Sequence, residues 1–422
     1  MLRSVALCAG LFASGFCHPA PAAEANYQFD GHTKARVIVQ QFPDNSVFNS
    51  LTGSRALDLE SELRLNFQAD RGPWSANAAW QLLPLYGDRI EYSRLLPPDL
   101  QLVFNRLPND ERRLFQLTDV IQDAGKFALV QRIDRLWFGY SSEKSVLRIG
   151  RQAISWGNGL FFSPMDIVNP FDPAAIDTEY KAGDDMLYGQ HLRANGHDTQ
   201  AAIVVRRNIQ NGEVEADEGT AAVKYHGISE SAEYDFLLAQ SFGEFVVGIG
   251  GNRSIGGAVW RGDLVLSDSA AGAKPQFVTN FSHSWVWRGR NMSGVVEYFF
   301  NGFGQSAGRY SPDELATNPE LLKRLARGEI FTLGRHYLAG GVSVEMTPLW
   351  LLTPNLFVNL QDPSAFLQLV TQNNLSDNAT FLGALSIPLG PDGSEYGGIE
   401  AGTNGQYVST DFGIFAQIAW YF

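Results

Sequence analysis

Residues 57–82 read LDLESELRLNFQADRGPWSANAAWQL. Leu57, Leu59, Leu63, Leu65, Phe67 and Ala69 fall on one parity; Asp58, Glu60, Glu62, Arg64, Asn66 and Gln68 fall on the other. After the tight turn DRGP (70–73), Trp74, Ala76, Ala78, Trp80 and Leu82 alternate in answer. Period two means strands, because successive side chains of a strand point to opposite faces. Two long strands joined by a short turn make a hairpin. A soluble sandwich buries the leucines and exposes the charges. A membrane barrel turns the leucines to lipid and the charges to a polar lumen, so that a charge at Leu63 is costly and replacing Glu62 is mild.

The rest of the chain decides between these. Short turns recur at 141–144, 194–198, 228–231, 288–291 and 347–349, whereas the segments at 43–54, 87–124, 155–184, 304–331 and 389–409 are long. Short turns at one end and long loops at the other is the asymmetry of an outer-membrane barrel, with the short turns periplasmic and the long loops extracellular. Trp74, Trp137, Trp285, Trp287, Trp350 and Trp420 lie beside short turns or the C-terminus, as an interfacial girdle requires. The alternation gives about eighteen strands between Tyr27 and Phe422, with sixteen as the alternative. An even number puts both ends of the chain on one side, and closure removes exposed edges. The expected fold is therefore all-β: one closed antiparallel transmembrane β-barrel spanning 23–422, undivided by any linker.

The last ten residues, GIFAQIAWYF (413–422), carry Ile414, Ala416, Ile418, Trp420 and Phe422 on one face. An apolar last strand ending in Phe resembles the C-terminal recognition strand of Gram-negative outer-membrane β-barrels. The resemblance implies that Ile418, Trp420 and Phe422 are the assembly signal, that the barrel assembly machinery is a partner, and that the barrel sits among outer-membrane lipid and lipopolysaccharide.

The N-terminus agrees. Arg3, the apolar run VALCAGLFASGF and the small-residue stretch PAPAAEA read as a secretory signal peptide over 1–22, with cleavage as late as residue 25. Both cysteines, Cys8 and Cys17, lie in this leader, so the mature chain has no disulfide, thiolate metal site or cysteine nucleophile. Losing Arg3 with residues 1–22 takes the formal net charge from −13 to −14, which argues against a nucleic-acid partner. No apolar run is long enough for a transmembrane helix. With 12% aromatics and 42 glycines among 422 residues, the composition suits an all-β chain.

The alternation stops in one place. In GRQAISWGNGLFFSPMDIVNPFDPAAIDTEYKAGDD (150–185), the strand pattern ends near Ser155. Asp166, Asp172, Asp177, Glu179, Asp184 and Asp185 stand against Lys181, interleaved with Leu160, Phe161, Phe162, Met165, Ile167, Val168, Phe171 and Ile176. A loop this long is functional or disordered, and one this apolar is expected to be ordered. It is read as folded into the lumen, the alternative being a loop packed on the barrel rim. The GRQ…WG…P.D..NP pattern resembles one found in porin-like outer-membrane barrels, which implies a constriction loop. Arg132, Arg135, Arg148, Arg151, Arg193, Arg206 and Arg207 lie on neighbouring strands. Arg148 is expected to face the lumen and Arg151 the rim. Carboxylates on the loop facing guanidinium groups on the wall would set a transverse field, or would be charge pairs that hold the loop. The constriction set is Asp166, Asp172, Asp177, Glu179, Asp184, Asp185, Arg148 and Arg151.

Other motifs carry less. GFGQSA (302–307) lacks the strand–helix context of a nucleotide loop. SPDE (311–314) and NPELLKRLARG (318–328) read as capped helical segments in an outer loop. Ser282–His283–Ser284 is the local candidate for a Ser/His pair and is read as strand surface. No catalytic residue, metal or cofactor is expected, and the chain is not read as an enzyme. The expected function is a porin-like channel for small solutes. The alternatives are an export or uptake barrel for an amphipathic molecule or polysaccharide coupled to an inner-membrane pump and, from another class, an outer-membrane enzyme or adhesive barrel. Association into homo-oligomers is left open.

Overall fold

The computed structural model describes residues 25–96, 107–402 and 405–422. The expected leader, 1–22, lies outside the described residues. Among the described residues, twenty-one strands run in order: β1 (Asn26–Gln41), β2 (Arg55–Arg71), β3 (Trp74–Gly87), β4 (Thr118–Ala124), β5 (Phe127–Ser141), β6 (Ser145–Gln152), β7 (Asp184–Leu192), β8 (Asp198–Val204), β9 (Thr220–Ile228), β10 (Ala232–Ser241), β11 (Glu244–Ile255), β12 (Ala258–Ser269), β13 (Gly272–Trp287), β14 (Arg290–Asn301), β15 (His336–Thr347), β16 (Trp350–Asn359), β17 (Ser364–Ser376), β18 (Ala379–Leu389), β19 (Ile399–Glu400), β20 (Tyr407–Val408) and β21 (Phe412–Tyr421). Every strand from β1 to β18 except β4 pairs antiparallel with the next barrel strand, β3 passing to β5, and β21 pairs with both β18 and β1. The ring is thus a closed antiparallel barrel of eighteen strands. β19 and β20 form a small ribbon in the last loop.

The first hairpin settles which way the sheet faces. Leu57 and Leu59 are 48% and 45% exposed, whereas Asp58, Glu62 and Arg64 beside them are 2%, 6% and 2% exposed. The wall is turned inside out relative to a soluble core: its apolar face is outward and its charged face lines the interior. The same inversion continues in Ile149, Phe236, Ile249, Phe281 and Val296, all exposed, opposite buried Asp235, Asp263, Asn280 and Glu297. Buried charges survive here because each finds a partner: Arg64 with Asp134 at 2.9 Å, for example.

Three features depart from the sequence reading. β4 was hidden in the segment 87–124; it pairs with the upper half of β5, whose lower half pairs with β6. The loop end also has tight turns, at Phe242–Gly243 and at 270–271, so the two ends are sorted less strictly than the alternation suggests. A bulge where β5 meets β3 at Ala79/Trp80 flips the parity of β5. Leu136 and Phe138 consequently point out, and Trp137 points in, against the inward Arg148, whose guanidinium carbon lies 4.7 Å from the ring centroid. Trp137 is therefore not part of the outer girdle, whereas Trp74, Trp285, Trp287, Trp350 and Trp420 are outward and exposed.

The loop end is roofed. Helices Val47–Thr52 and Asp88–Tyr92 pack around Phe42, Phe48, Tyr92 and Leu96. In the loop after β14, Ser311 and Asn318 cap the helices Pro312–Ala316 and Pro319–Arg327, and the second stops at left-handed Gly328.

Candidate functional site

The site is built by the segment between β6 and β7, residues 153–183. Its near end is anchored across the barrel. The backbone N–H groups of Leu160, Phe161 and Phe162 all donate to the Glu297 carboxylate of β14, at 2.6, 3.0 and 2.7 Å. Asn158 donates from its backbone to Asp263 of β12 at 2.6 Å, and from its side chain to Asp263 at 2.7 Å and Asp235 of β10 at 3.1 Å. Each acceptor is an inward carboxylate, so the anchor consists of charge-assisted bonds, the stronger kind. Packing adds to it: Phe162 stacks on Phe299 with ring centroids 4.6 Å apart, and Trp156, Met165 and Val168 are buried against inward residues of β7 to β12.

The far end reaches the opposite wall. Asp177 lies 2.7 Å from Lys34 and 3.1 Å from Arg36, both inward residues of β1, and Glu179 lies 2.8 Å from Lys34. Gln368 of β17 donates to the Ala174 carbonyl at 2.9 Å, and the Tyr421 hydroxyl of β21 donates to Glu179 at 3.0 Å. Tyr180 lies under the Arg64 guanidinium, 4.0 Å from ring centroid to carbon. The segment is therefore tied to inward groups of β10, β12 and β14 at one end and of β1, β17 and β21 at the other.

Alongside it, against β1, β2, β3 and β5, a cavity of about 440 Å³ remains. Lys34, Arg36, Glu62, Arg132, Asp177 and Tyr180 are among its lining. Arg36 bridges Glu62 at 2.9 Å and Asp177. Arg132 donates to Gln81 at 2.5 Å and stands 3.8 Å from Asp134. Cations on the wall are thus paired directly with carboxylates on the segment beside a cavity of mixed polar and apolar lining.

The sequence-predicted residues do not form one cluster. Asp177 and Glu179 face the β1 cations as described. Asp166 is buried in the segment's interior, 2.5 Å from Lys181; burial pushes its carboxyl up to about 6, despite the opposing lysine. Asp172 is exposed and caps the Ala174 N–H at 2.8 Å. For Asp177, desolvation raises the carboxyl, but the hydrogen bond and charge of Lys34, the Glu179 N–H and the charge of Arg36 together outweigh it and leave the group below its ordinary value. Asp184 points inward and binds Arg206 at 2.8 Å. Arg151 and Asp185 form a pair at 2.9 Å on the outward parity of Leu147, Ile149 and Leu187, covered by residues 110–115. Arg148 lies at the short-turn end over Trp137. Ser282 and His283 point to opposite faces, the serine accepting from Arg261 and the exposed imidazole facing the Gly257 carbonyl.

The GRQ…WG…P.D..NP residues have physical tasks in this arrangement. Gly150 holds φ at 123°, and a Cβ there would come within 2.1 Å of the Leu136 carbonyl. Trp156 donates from its indole to Gln200 at 2.7 Å, and Asp166 holds Lys181. The anchors Asp235, Asp263 and Glu297 were missed in the sequence. Their signal was available, since each is an inward-parity carboxylate on a largely uncharged strand, as in VVEYFF (295–300).

No family model and no curated protein matches the sequence. Solved structures match its fold. OccAB1 of Acinetobacter baumannii aligns over 94% of this chain and 96% of its own at 7% identity, with a TM-score of 0.55. A BenF-like porin from Pseudomonas fluorescens Pf-5 aligns over 94% and 98% at 9% identity, with a TM-score of 0.50. Wzi of Escherichia coli, an outer-membrane protein involved in group 1 capsule assembly and a carbohydrate-binding β-barrel, aligns over 92% and 83% at 10% identity, with a TM-score of 0.51. At such identities the likeness is one of fold: the closed barrel is shared with porins and with a carbohydrate-binding barrel alike.

Proposed function

We propose that the chain is a channel of a Gram-negative outer membrane that passes small hydrophilic solutes, with residues 1–22 removed as its leader and segment 155–184 folded into the lumen as its constriction. The observation that carries this reading is the double anchoring of the segment to inward side chains of opposite walls, beside a cavity of about 440 Å³. A rim loop would have no reason to bond inward carboxylates of β12 and β14. The selective elements are then Asp177 and Glu179 facing Lys34 and Arg36, with Tyr180 on Arg64 as the narrowing residue. Arg151 and Asp185 serve the outer surface, and Asp166 with Lys181 holds the segment's own shape. The outward, exposed apolar belt supports the membrane location, and exposed Ile418, Trp420 and Phe422 on the closing strand support their role as the signal read by the barrel assembly machinery. Neighbouring lipid and lipopolysaccharide would contact the same belt.

The test is conductance. Purified protein in a planar bilayer should give discrete conductance steps, and reversal potentials under a salt gradient should report its selectivity. Absence of any steps would reject the channel and favour a binding or enzymatic barrel. The axial route is not read as one for amphipathic solutes. Phe162, Met165 and Val168, which look available to an acyl chain in the sequence, are buried against the wall and take no part in lining the cavity.

A further inference from the structure

Two neighbouring hairpins at the short-turn end carry a patch of unusual charge. β13 and β14 turn at Arg288–Gly289, and β15 and β16 turn at 348–349. Met292 of β14 pairs with Val344 of β15, which brings the two turns to one level. Trp285, Trp287 and Arg290 share the outward parity of exposed Phe281 and Val296, and Trp287 and Arg290 are a cross-strand pair. Arg290 lies against the Met346 sulfur of the next hairpin, beside outward Trp350. Arg288 stands in the turn itself with φ at 51°, and its guanidinium carbon lies 4.6 Å from the Trp287 ring centroid.

These arginines differ from those of the lumen. Inward arginines are matched by carboxylates, as Arg64 is by Asp134 and Arg206 by Asp184. Arg288 and Arg290 are both exposed, and among the described residues no carboxylate pairs with either. The carboxylates of β13–β16 are Glu297 and Glu345. Glu297 holds the lumenal segment, and Glu345 accepts from inward Asn291. The outward face of this sector is therefore cationic and uncompensated. Its indoles are open as well. Trp350 donates to Thr371 at 2.8 Å, whereas the N–H groups of Trp285 and Trp287 meet no acceptor among the described residues.

The chemistry that fits is a phosphate at the end of an acyl chain. A guanidinium lying over an indole keeps its N–H groups at its edge, in a fork that matches phosphate oxygens. Tryptophan is most stable where an apolar ring meets the headgroup level, with its N–H turned to the polar side. Exposed Phe281, Val296 and Leu338 continue the patch along the wall and offer apolar surface to a tail. A zwitterionic headgroup brings a cation of its own, which two uncompensated guanidinium groups repel. An anionic headgroup brings none. With the short turns periplasmic, the patch faces the inner leaflet of the outer membrane, which is built of phospholipid.

We propose that Arg288 and Arg290, with Trp285 and Trp287, bind the headgroup phosphate of an anionic phospholipid in the periplasmic leaflet. The site rests on the membrane placement of the barrel and not on conduction. Lipid bound by a barrel that never conducts would reject the channel and leave the site standing.

Lipid retained by the folded barrel in neutral detergent can be counted by native mass spectrometry during titration with phosphatidylglycerol or phosphatidylcholine. The wild type should retain phosphatidylglycerol in preference. Each arginine near anionic lipid strengthens binding about fivefold, so Arg288→Gln with Arg290→Gln should weaken retention roughly twenty-five-fold. Lys144→Gln, which removes an exposed cation of another short turn, should leave it unchanged. Equal retention of the two lipids by the wild type, or an undiminished preference in the double variant, would overturn the site. An equal loss in Lys144→Gln would overturn it also, by spreading the effect over the whole rim. The only cysteines of the chain, Cys8 and Cys17, lie in the expected leader, so Arg290→Cys gives one reporter. A disulfide between copies of that variant in phosphatidylcholine vesicles would show the patch covered by a second copy and contradict the proposal. As a measurement that needs no arginine variant, brominated phosphatidylglycerol in such vesicles should quench tryptophan fluorescence more than brominated phosphatidylcholine at the same fraction. The excess should shrink as salt rises and fall in Trp285→Phe with Trp287→Phe; an excess that persists without these two indoles would place the lipid elsewhere and overturn the site.

Discussion

Glu297 is one carboxylate with three consecutive backbone N–H groups as donors. Hydrogen bonds to a charged group contribute about 1.5–3 kcal/mol each, so its neutralisation should loosen the near end of the segment without opening the barrel. In Glu297→Gln, amide exchange at Leu160–Phe162 should quicken while exchange in β14 stays slow; unchanged exchange at the three amides would remove Glu297 as an anchor. A second carboxylate gives a pH dependence. Glu395, in the loop between β18 and β21, accepts from the Tyr337 hydroxyl at 2.5 Å, Asn359 at 2.6 Å and the Leu333 N–H at 2.8 Å. Loss of solvent around it, with Asp362 nearby, pushes its carboxyl from 4.5 up to about 7. Because the docked loop favours the protonated acid, docking is fullest below the ordinary value of 4.5 and weakens as pH rises through about 7. Protease nicking of 390–398 should therefore increase across that interval, and Glu395→Gln should flatten the dependence.

At the scale of the strand, β2 carries the argument in alternate residues. Leu63 shares the outward parity of exposed Leu57 and Leu59, so Leu63→Arg sets a charge against lipid, at about 2–4 kcal/mol near the midplane. Glu62 is not the mild position the sequence suggests. It is held by His32 at 3.2 Å, Arg36 at 2.9 Å and Gln81 at 2.7 Å, so its removal strands buried partners. The two variants should differ in kind when refolded into lipid vesicles: Leu63→Arg should lower the yield of inserted barrel, whereas Glu62→Gln should insert and alter ion selectivity. Loss of insertion in both would contradict the orientation. Strand positions were legible because sustained period-two alternation fits the pleat of a strand and not the 3.6-residue turn of a helix. β4 was not legible: TDVIQDA (118–124) is short, mostly polar and paired on one edge, so nothing in its pattern distinguishes it from loop. The parity of Trp137 was lost for a related reason, since a bulge inserts one residue without a sequence mark. The closing strand carries its own expectation. The ring of Phe422 lies beside Gly31, where a Cβ would approach it to 3.0 Å, and the two residues exchange backbone bonds at 2.9 and 3.0 Å. Deleting Phe422 should reduce the amount of heat-modifiable barrel in outer membranes well below normal; a normal amount would reject the recognition role.

Across the whole molecule, closure and inversion of the wall were readable from composition and alternation, but the organisation of the lumen was read only in part. The length and apolar content of segment 155–184 announce that it is held by something, and its carboxylates announce charge. Which of them meet which wall depends on contacts between residues more than a hundred positions apart, such as Lys34 with Asp177 and Asn158 with Asp263. Asp166 and Asp177 look equivalent in the sequence, yet one faces its own segment's lysine and the other faces β1. Neutralising Asp177 and Glu179 together should therefore shift reversal potentials toward anions, with an effect that shrinks as salt rises, whereas Asp172→Asn should leave them unchanged. The central claim, that the segment narrows the lumen, is tested most directly by single-channel conductance after deletion of residues 160–180. The strands that close the ring stay paired without them, so the account predicts a well-inserted barrel with larger conductance steps than the wild type. Steps of unchanged size from an inserted barrel would contradict it.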